Sequence, residues 1–188
     1  MLISLNKKNI IFIILKLNNI KRILPKKMNK NSLNKVTNKI YLRDLKSGND
    51  INFLKEENIS NVLSLTGDIF SPKYPKKLKI SQKIINIDDS PKENILKFFK
   101  ECILYIENSD KILVHCMAGV SRSATIVIAY LMWKTHASYI ETKNFVKNRR
   151  NIYPNDGFTQ QLIIFEKMLK DKDYNLDKID FKHFCWNL

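Results

Sequence analysis

Ile112-Leu113-Val114-His115-Cys116-Met117-Ala118-Gly119-Val120-Ser121-Arg122-Ser123-Ala124-Thr125-Ile126-Val127-Ile128-Ala129-Tyr130-Leu131-Met132 is the stretch whose reading decides the fold. A short β-branched apolar run ending in His-Cys, then a Gly-containing loop, then an apolar run long enough for a helix, reads as strand, loop and helix. Such a junction gathers loop amides and the first-turn N–H groups of a helix around one point, where the helix dipole favours negative charge. Cys116 lies inside that field, which favours the thiolate. Arg122, six residues on, can curl its planar guanidinium over the loop and hold two oxygens of a phosphate. The bare Cys-to-Arg spacing carries little information, because three Cys and five Arg in 188 residues produce it by accident in roughly 8% of such chains. The strength lies in the coincidence of His before Cys, Ala-Gly in the loop, Ser after Arg, a strand before and a helix after.

Composition bounds the rest. A chain of 188 residues with 44% hydrophobic content is expected to form one domain with one core. The net charge of +15 invites a nucleic-acid reading, but residues 1–40 hold ten Lys/Arg and no Asp/Glu, leaving 23 basic against 18 acidic residues elsewhere. The excess belongs to an arm, and its Lys, Asn and Ile richness reads as compositional bias in a disordered or targeting segment. Nothing aromatic is interleaved with the charge as a nucleic-acid-binding surface would want, so no nucleic-acid partner is expected. Ile10-Ile11-Phe12-Ile13-Ile14-Leu15 is too short to span a bilayer and no small-residue cleavage site follows it, so no transmembrane segment is expected. Met28 is an alternative start that would remove this patch. Cys102, Cys116 and Cys185 give neither a disulfide framework nor metal-like spacing. Oxidation would disable Cys116, so a reducing compartment, cytoplasm or nucleus, is expected.

The expected organisation is a basic arm over residues 1–37, a domain over 38–172 and a tail over 173–188. Lys39-Ile40-Tyr41-Leu42-Arg43 predicts a first strand, Asp50 to Glu57 a short helix and Ile59 to Thr66 a second strand. Leu78-Lys79-Ile80 and Ile84-Ile85-Asn86-Ile87 predict two more. Ser90 as N-cap, Pro91 at the first helical position and Glu93 three residues after the cap predict a helix from Ser90, with Cys102 a buried thiol on its apolar face. Tyr139 to Asn148 predicts another helix, and Phe158, Leu162, Phe165 and Leu169 a last amphipathic one. The expected class is α/β, a single domain with a mostly parallel twisted sheet flanked by helices.

His115 to Ala124 resembles the signature loop of the dual-specificity branch of the cysteine-based protein phosphatases. The resemblance continues through Ala129-Tyr130-Leu131-Met132, Pro154-Asn155-Asp156-Gly157-Phe158 and Gln161-Leu162. It extends upstream to Ile40-Tyr41-Leu42 and Asn61-Val62-Leu63-Ser64-Leu65, where Arg43 departs from the usual Gly. What it implies is hydrolysis of phosphotyrosine and phosphoserine/phosphothreonine through a phosphocysteine. Cys116 would be the nucleophile and Arg122 the phosphate clamp. Met117, Ala118, Gly119, Val120 and Ser121 would form the phosphate loop. Ser123 would stabilise the departing thiolate, and His115 would orient the loop. The family's general acid is an Asp upstream of the loop. Ile87-Asp88-Asp89-Ser90-Pro91 followed by Asn94-Ile95-Leu96 resembles that segment and aligns Asp89 with the acid, Asp88 being the runner-up. Glu107-Asn108-Ser109-Asp110 makes the interval to Cys116 a few residues shorter than usual. Asn155 reads as a brace for the loop or as turn chemistry. Lys147, Arg149 and Arg150 read as a solvated helix end or a contact for acidic substrate flanks.

Neutral Met117 and Val120, where Lys or Arg would suit polyanionic lipids, favour a phosphoprotein partner. The Asp-Ser-Pro and Met-Ala-Gly-Val-Ser segments resemble the branch with a cysteine-rich zinc tail. His183 and Cys185 are too few for such a site, and neither metal nor cofactor is expected. Two competing expectations stay open: a catalytically weak phosphoprotein-binding module, which would normally lack the Cys or Arg present here, and an RNA 5′-triphosphatase using the same thiol loop. Oligomeric state is not legible.

Overall fold

The computed structural model describes residues 34–186. The Ile10–Leu15 patch, Met28 and most of the basic arm lie outside the described residues. The chain builds β1 (Ile40–Arg43), α1 (Leu45–Gly48), α2 (Ile51–Glu56), β2 (Asn61–Ser64), α3 (Gly67–Phe70), β3 (Ser81–Ile84), α4 (Phe99–Glu107), β4 (Ile112–His115), α5 (Arg122–Thr135), α6 (Tyr139–Lys147) and α7 (Asp156–Asp171). The four strands run parallel in the order β1-β4-β2-β3, in register Arg43↔His115↔Ser64↔Ile84 at their carboxyl ends. In a parallel sheet those ends are where ligands meet the connecting loops. His115 and Cys116 emerge there, from the most enclosed strand.

The two-residue alternation of side chains along a strand sorts the sheet's two faces. Ile40, Leu42, Leu63, Ile112 and Val114 join the main core. Tyr41, Val62 and Leu113 point the other way, into a smaller cluster with Leu54 and Ile59 from the α2 segment. The main core is organised on α5. Twelve of its fourteen residues are buried, from Arg122 through Met132 and Thr135. A helix apolar all round must be enclosed on all sides, and α4, α6 and α7 enclose it. Fully buried Phe99, Phe158 and Phe165 fill the space between these helices, each contributing on the order of 1.5–3 kcal/mol from burial. Packing reaches beyond residues 38–172 on both sides, since Val36, Leu176, Ile179 and Phe181 are also buried in this core.

Two expectations are corrected. The strand readings at Leu78 to Ile80 and Ile84 to Ile87 collapse into one edge strand between them, Ser81–Ile84, while Lys76–Leu78 forms a 3-10 turn. Ile85 and Ile87 are buried anyway, because the chain runs over the core toward the site after leaving the sheet. The helix expected from Ser90 begins later, with a 3-10 turn at Leu96–Phe98 leading into α4. The side chain of Asn94, not that of Ser90, accepts from the amide three residues on, that of Lys97, at 3.2 Å. The cause is long-range. Buried Gln161 donates to the Glu93 carbonyl at 2.8 Å and accepts from the Leu96 amide at 2.9 Å, taking the backbone groups an earlier helix would use. Gly157 at the start of α7 lies so close that a Cβ there would come within 2.0 Å of the Pro91 carbonyl oxygen. Among the described residues, no helix is long and apolar enough to cross a membrane.

Candidate active site

The loop between β4 and α5 has its six carbonyls turned outward, held by five residues. The Cys116 carbonyl faces His115 Nδ1 at 3.3 Å, and that of Met117 accepts from the Leu45 amide at 3.1 Å. Arg150 donates from Nη2 to the Ala118 carbonyl at 2.8 Å and from Nε to that of Gly119 at 2.7 Å. The Val120 carbonyl accepts from the Tyr153 amide at 2.8 Å, and that of Ser121 from the Thr125 amide at 2.8 Å. Since C=O and N–H point oppositely across a trans peptide, six outward carbonyls turn the next six amides toward the interior of the loop. One lands on the thiol: Gly119 N–H donates to Cys116 Sγ at 3.2 Å. Gly119 reaches this geometry at φ +70°, and a Cβ there would meet the Arg43 carbonyl oxygen at 2.3 Å.

Ser123 Oγ also donates to Cys116 Sγ, at 3.2 Å. The thiol is thus faced by a backbone amide and a hydroxyl, at the start of a fourteen-residue helix. Ser121 occupies the N-cap of that helix but makes no side-chain cap bond, so the first-turn amides keep their attraction for an anion.

The carbonyl of Cys116 can only accept, so His115 carries its proton on Nδ1. Nε2 then accepts from Ser64 Oγ at 2.8 Å, and Ser64 Oγ in turn accepts from Gln82 Nε2 at 3.1 Å. Burial holds the His115 pKa below its ordinary value, against the smaller opposing pull of that carbonyl and of Asp44. A neutral, single-tautomer imidazole therefore fixes the peptide that carries the thiol.

Arg122 donates from Nη1 to the Ile87 carbonyl at 3.2 Å. Its buried Nε has no hydrogen-bond partner and lies 3.8 Å from Asp89 Oδ2. A buried guanidinium donor in that condition is available to an oxyanion seated in the loop. Asp89 is brought to the loop from 32 residues upstream: Ser121 Oγ donates to its Oδ1 at 2.6 Å and Asn155 Nδ2 to the same oxygen at 2.9 Å. Asp88 lines the neighbouring cavity, of about 550 Å³, with Asn86, Asp89, Met117, Arg122 and the exposed Ile69 and Phe70.

The fold thus brings together Cys116, Arg122, Asp89, Ser123, His115 and the whole of Met117 to Ser121. Sequence reasoning placed Ser121 only in the loop, whereas its hydroxyl holds Asp89. Asn155 does both things weighed for it in altered form, capping α7 by accepting from the Phe158 amide at 2.9 Å while bracing Asp89. The basic cluster is corrected at two of its three members. Arg149 is buried against the ring of Phe145, 3.6 Å from its centroid, and Arg150 is engaged by loop carbonyls. Only the third-party carbonyls tell this, and no local pattern signals it. Among the described residues, no group of three or more His, Cys, Asp or Glu side chains has metal-holding geometry.

The family profile described as "Dual specificity phosphatase, catalytic domain" matches residues 40–168. The MAP kinase phosphatase with leucine-rich repeats protein 1 of Dictyostelium discoideum is 40% identical over 138 residues, 71% of this chain. The chain spans only 16% of that protein and 19% of its counterpart protein 2. It spans 84% of dual specificity protein phosphatase 1B of Arabidopsis thaliana, 34% identical over 73% of this chain. The crystal structure of DUSP15 superposes with a TM-score of 0.66 at 30% identity, covering 79% of this chain and 97% of that one. That of the human tyrosine phosphatase-like serine/threonine/tyrosine-interacting protein does so at 0.67 and 29%, covering 72% and 95%. Together with the strand, loop and helix that carry Cys116 and Arg122, these matches show that the chain belongs to the dual-specificity phosphatase catalytic-domain family.

Proposed function

We propose that the chain hydrolyses phosphotyrosine and phosphoserine/phosphothreonine in proteins through a phosphocysteine. The carrying observation is the loop itself: six outward-held carbonyls, a thiol faced by Gly119 N–H and Ser123 Oγ at 3.2 Å each, and a buried Arg122 with an unpartnered Nε. Cys116 thiolate attacks phosphorus in line, an S–P bond forming as the P–O bond to the protein side chain breaks. Arg122 and the loop amides take up the charge on the equatorial oxygens. The leaving oxygen takes a proton from Asp89. Because Ser121 and Asn155 both donate to Oδ1, Oδ2 is the oxygen that carries the proton. In the second step Asp89 takes a proton from water, the water oxygen bonds phosphorus, and the thiolate leaves while accepting from Ser123.

A phosphoprotein suits the rim better than a polyanionic lipid does. Ile69 is 90% exposed, Phe70 58% and Met117 43%, and the acids Asp88 and Asp89 share their cavity. The chemistry needs a reduced Cys116, a requirement that supports a reducing compartment such as cytoplasm or nucleus.

The test is hydrolysis of an aryl phosphate and of phosphotyrosine and phosphothreonine peptides by the full chain in a chelator, with Cys116→Ser in parallel. Native turnover lost by about 10⁴-fold or more in the variant is expected, in line with removal of a nucleophile elsewhere. No turnover by folded native protein that still binds phosphopeptide would replace this reading with a binding module, as the name of the tyrosine phosphatase-like interacting neighbour suggests for that protein. Turnover confined to RNA 5′-triphosphate ends would replace it with the triphosphatase reading.

A further inference from the structure

Arg150 has no place in the chemistry above, yet it is the one side chain that grips two consecutive carbonyls of the phosphate loop among the described contacts. Its guanidinium carries five N–H donors in a rigid plane. Nε goes to the Gly119 carbonyl at 2.7 Å, Nη2 to that of Ala118 at 2.8 Å, and Nη1 to Asn34 Oδ1 at 2.5 Å. The first two bonds act through the peptide planes. Holding the Ala118 carbonyl aims Gly119 N–H at Cys116 Sγ, and holding the Gly119 carbonyl turns Val120 N–H inward. The loop has no slack to drift, because a Cβ on Gly119 would meet the Arg43 carbonyl oxygen at 2.3 Å and Arg150 Nη2 at 2.6 Å.

Asn34 fixes the far side of the same fork. Its own backbone is tied down by donation to the Arg149 carbonyl at 3.1 Å and by acceptance from the Leu42 amide at 2.9 Å. Segment 34–37, just upstream of β1, is therefore wired through one guanidinium to two amides of the phosphate loop.

From this geometry we infer that Arg150 is a positioning residue that presets the Gly119 amide for the Cys116 sulfur and the Val120 amide for the phosphate oxygens, and that Asn34 sets Arg150. The inference rests on the proposed phosphate chemistry of the loop.

It is tested in the full chain with Arg150→Met, Arg150→Lys and Asn34→Gly. The glycine removes the Oδ1 acceptor while tolerating the native φ of +84°. Arg150→Met is expected to lower kcat/KM for an aryl phosphate by about 10²-fold, the scale of a misplaced reacting group. Arg150→Lys, keeping the charge and one donor, is expected to recover part of that loss, and Asn34→Gly to cost about fivefold, the scale of one hydrogen bond. Binding of inorganic phosphate, followed by calorimetry in a Cys116→Ser background, is expected to weaken in the same order. Phosphate binding does not depend on turnover, so it separates failure of this inference from failure of the phosphatase reading.

Arg150→Met with kcat/KM and phosphate affinity within about twofold of native would overturn the inference. So would losses in all three variants that follow thermal stability alone, with no recovery by lysine. If the methionine variant does not fold, the lysine and glycine variants decide by the same criteria.

Discussion

The phosphate loop and the acid segment meet at one point but are held in different ways. The loop is set through its own backbone groups: three of its carbonyls are taken up by the Leu45, Tyr153 and Thr125 amides and three by the side chains of His115 and Arg150. The acid segment is set by side chains. Asp89 hangs between Ser121 and Asn155, contributed by two distant parts of the chain, and the stretch behind it is pinned by Gln161. A backbone-built site leaves a compact signature, because the strand, the glycine and the helix start that make it lie within a dozen residues. A side-chain-built one leaves only scattered residues, each ordinary in its own neighbourhood.

Several substitutions sharpen or break that contrast. Asp89→Ala is expected to slow the first step by about 10²–10⁴-fold for phosphate esters with poor leaving groups and far less for activated aryl phosphates, as loss of a general acid does. Equal slowing across leaving groups would remove Asp89 from that role, and a larger loss in Asp88→Ala would transfer it. Gly119→Ala strikes the backbone side of the contrast. With φ +70° and the Arg43 carbonyl oxygen 2.3 Å from the new Cβ, it is expected to cost about 10²-fold in kcat/KM by displacing the loop, with equal effect on good and poor leaving groups.

Asn155→Ala tests the side-chain side more gently. Loss of the cap on α7 is expected to lower stability by about 1 kcal/mol. Loss of the bond to Asp89 is expected to slow poor leaving groups by about fivefold, one hydrogen bond's worth. Replacement by Asp, which keeps the cap acceptor but not the amide donor, should restore the stability and leave the rate defect. Rate recovery in the Asp variant would mean that Asn155 acts only through the helix.

The smallest effect concerns His115. Its folded-state pKa is depressed by burial, so below the unfolded value of about 6.5 the unfolded chain binds a proton that the native chain refuses, and stability falls with pH. Between about pH 6.5 and 5, native protein is therefore expected to lose stability more steeply than His115→Asn, by up to about 1.4 kcal/mol per pH unit. The lowered carboxylates Asp44, Glu107 and Glu166 act in a separate window, stabilising above the ordinary carboxylate range and losing that contribution as pH falls through it. Parallel pH profiles for the two proteins would mean that His115 is not held neutral.

The same contrast explains what was legible. From one stretch, β4, the loop and α5 could be read, with Cys116 and Arg122 placed, because their signals are local. Asp89 could be aligned but not explained, since Ser121 and Asn155 reach it only through the tertiary fold. The capping pattern at Ser90 was locally sound and still failed, because Gln161 claims the Glu93 carbonyl and Leu96 amide and Pro91 is pressed against Gly157. Arg150 resembled a solvated helix end for the same reason: nothing near it in sequence announces the Ala118 and Gly119 carbonyls it binds.

The most direct measurement is rapid quenching of Ser123→Ala during turnover of a phosphopeptide, with the site of covalent phosphate read by mass spectrometry and the burst of the first product followed in parallel. A stoichiometric burst, with phosphate on Cys116 accumulating because departure of the thiolate is slowed, is the predicted result. A linear time course without a burst, in a variant whose steady-state rate is lowered, or phosphate on any other residue, would contradict it.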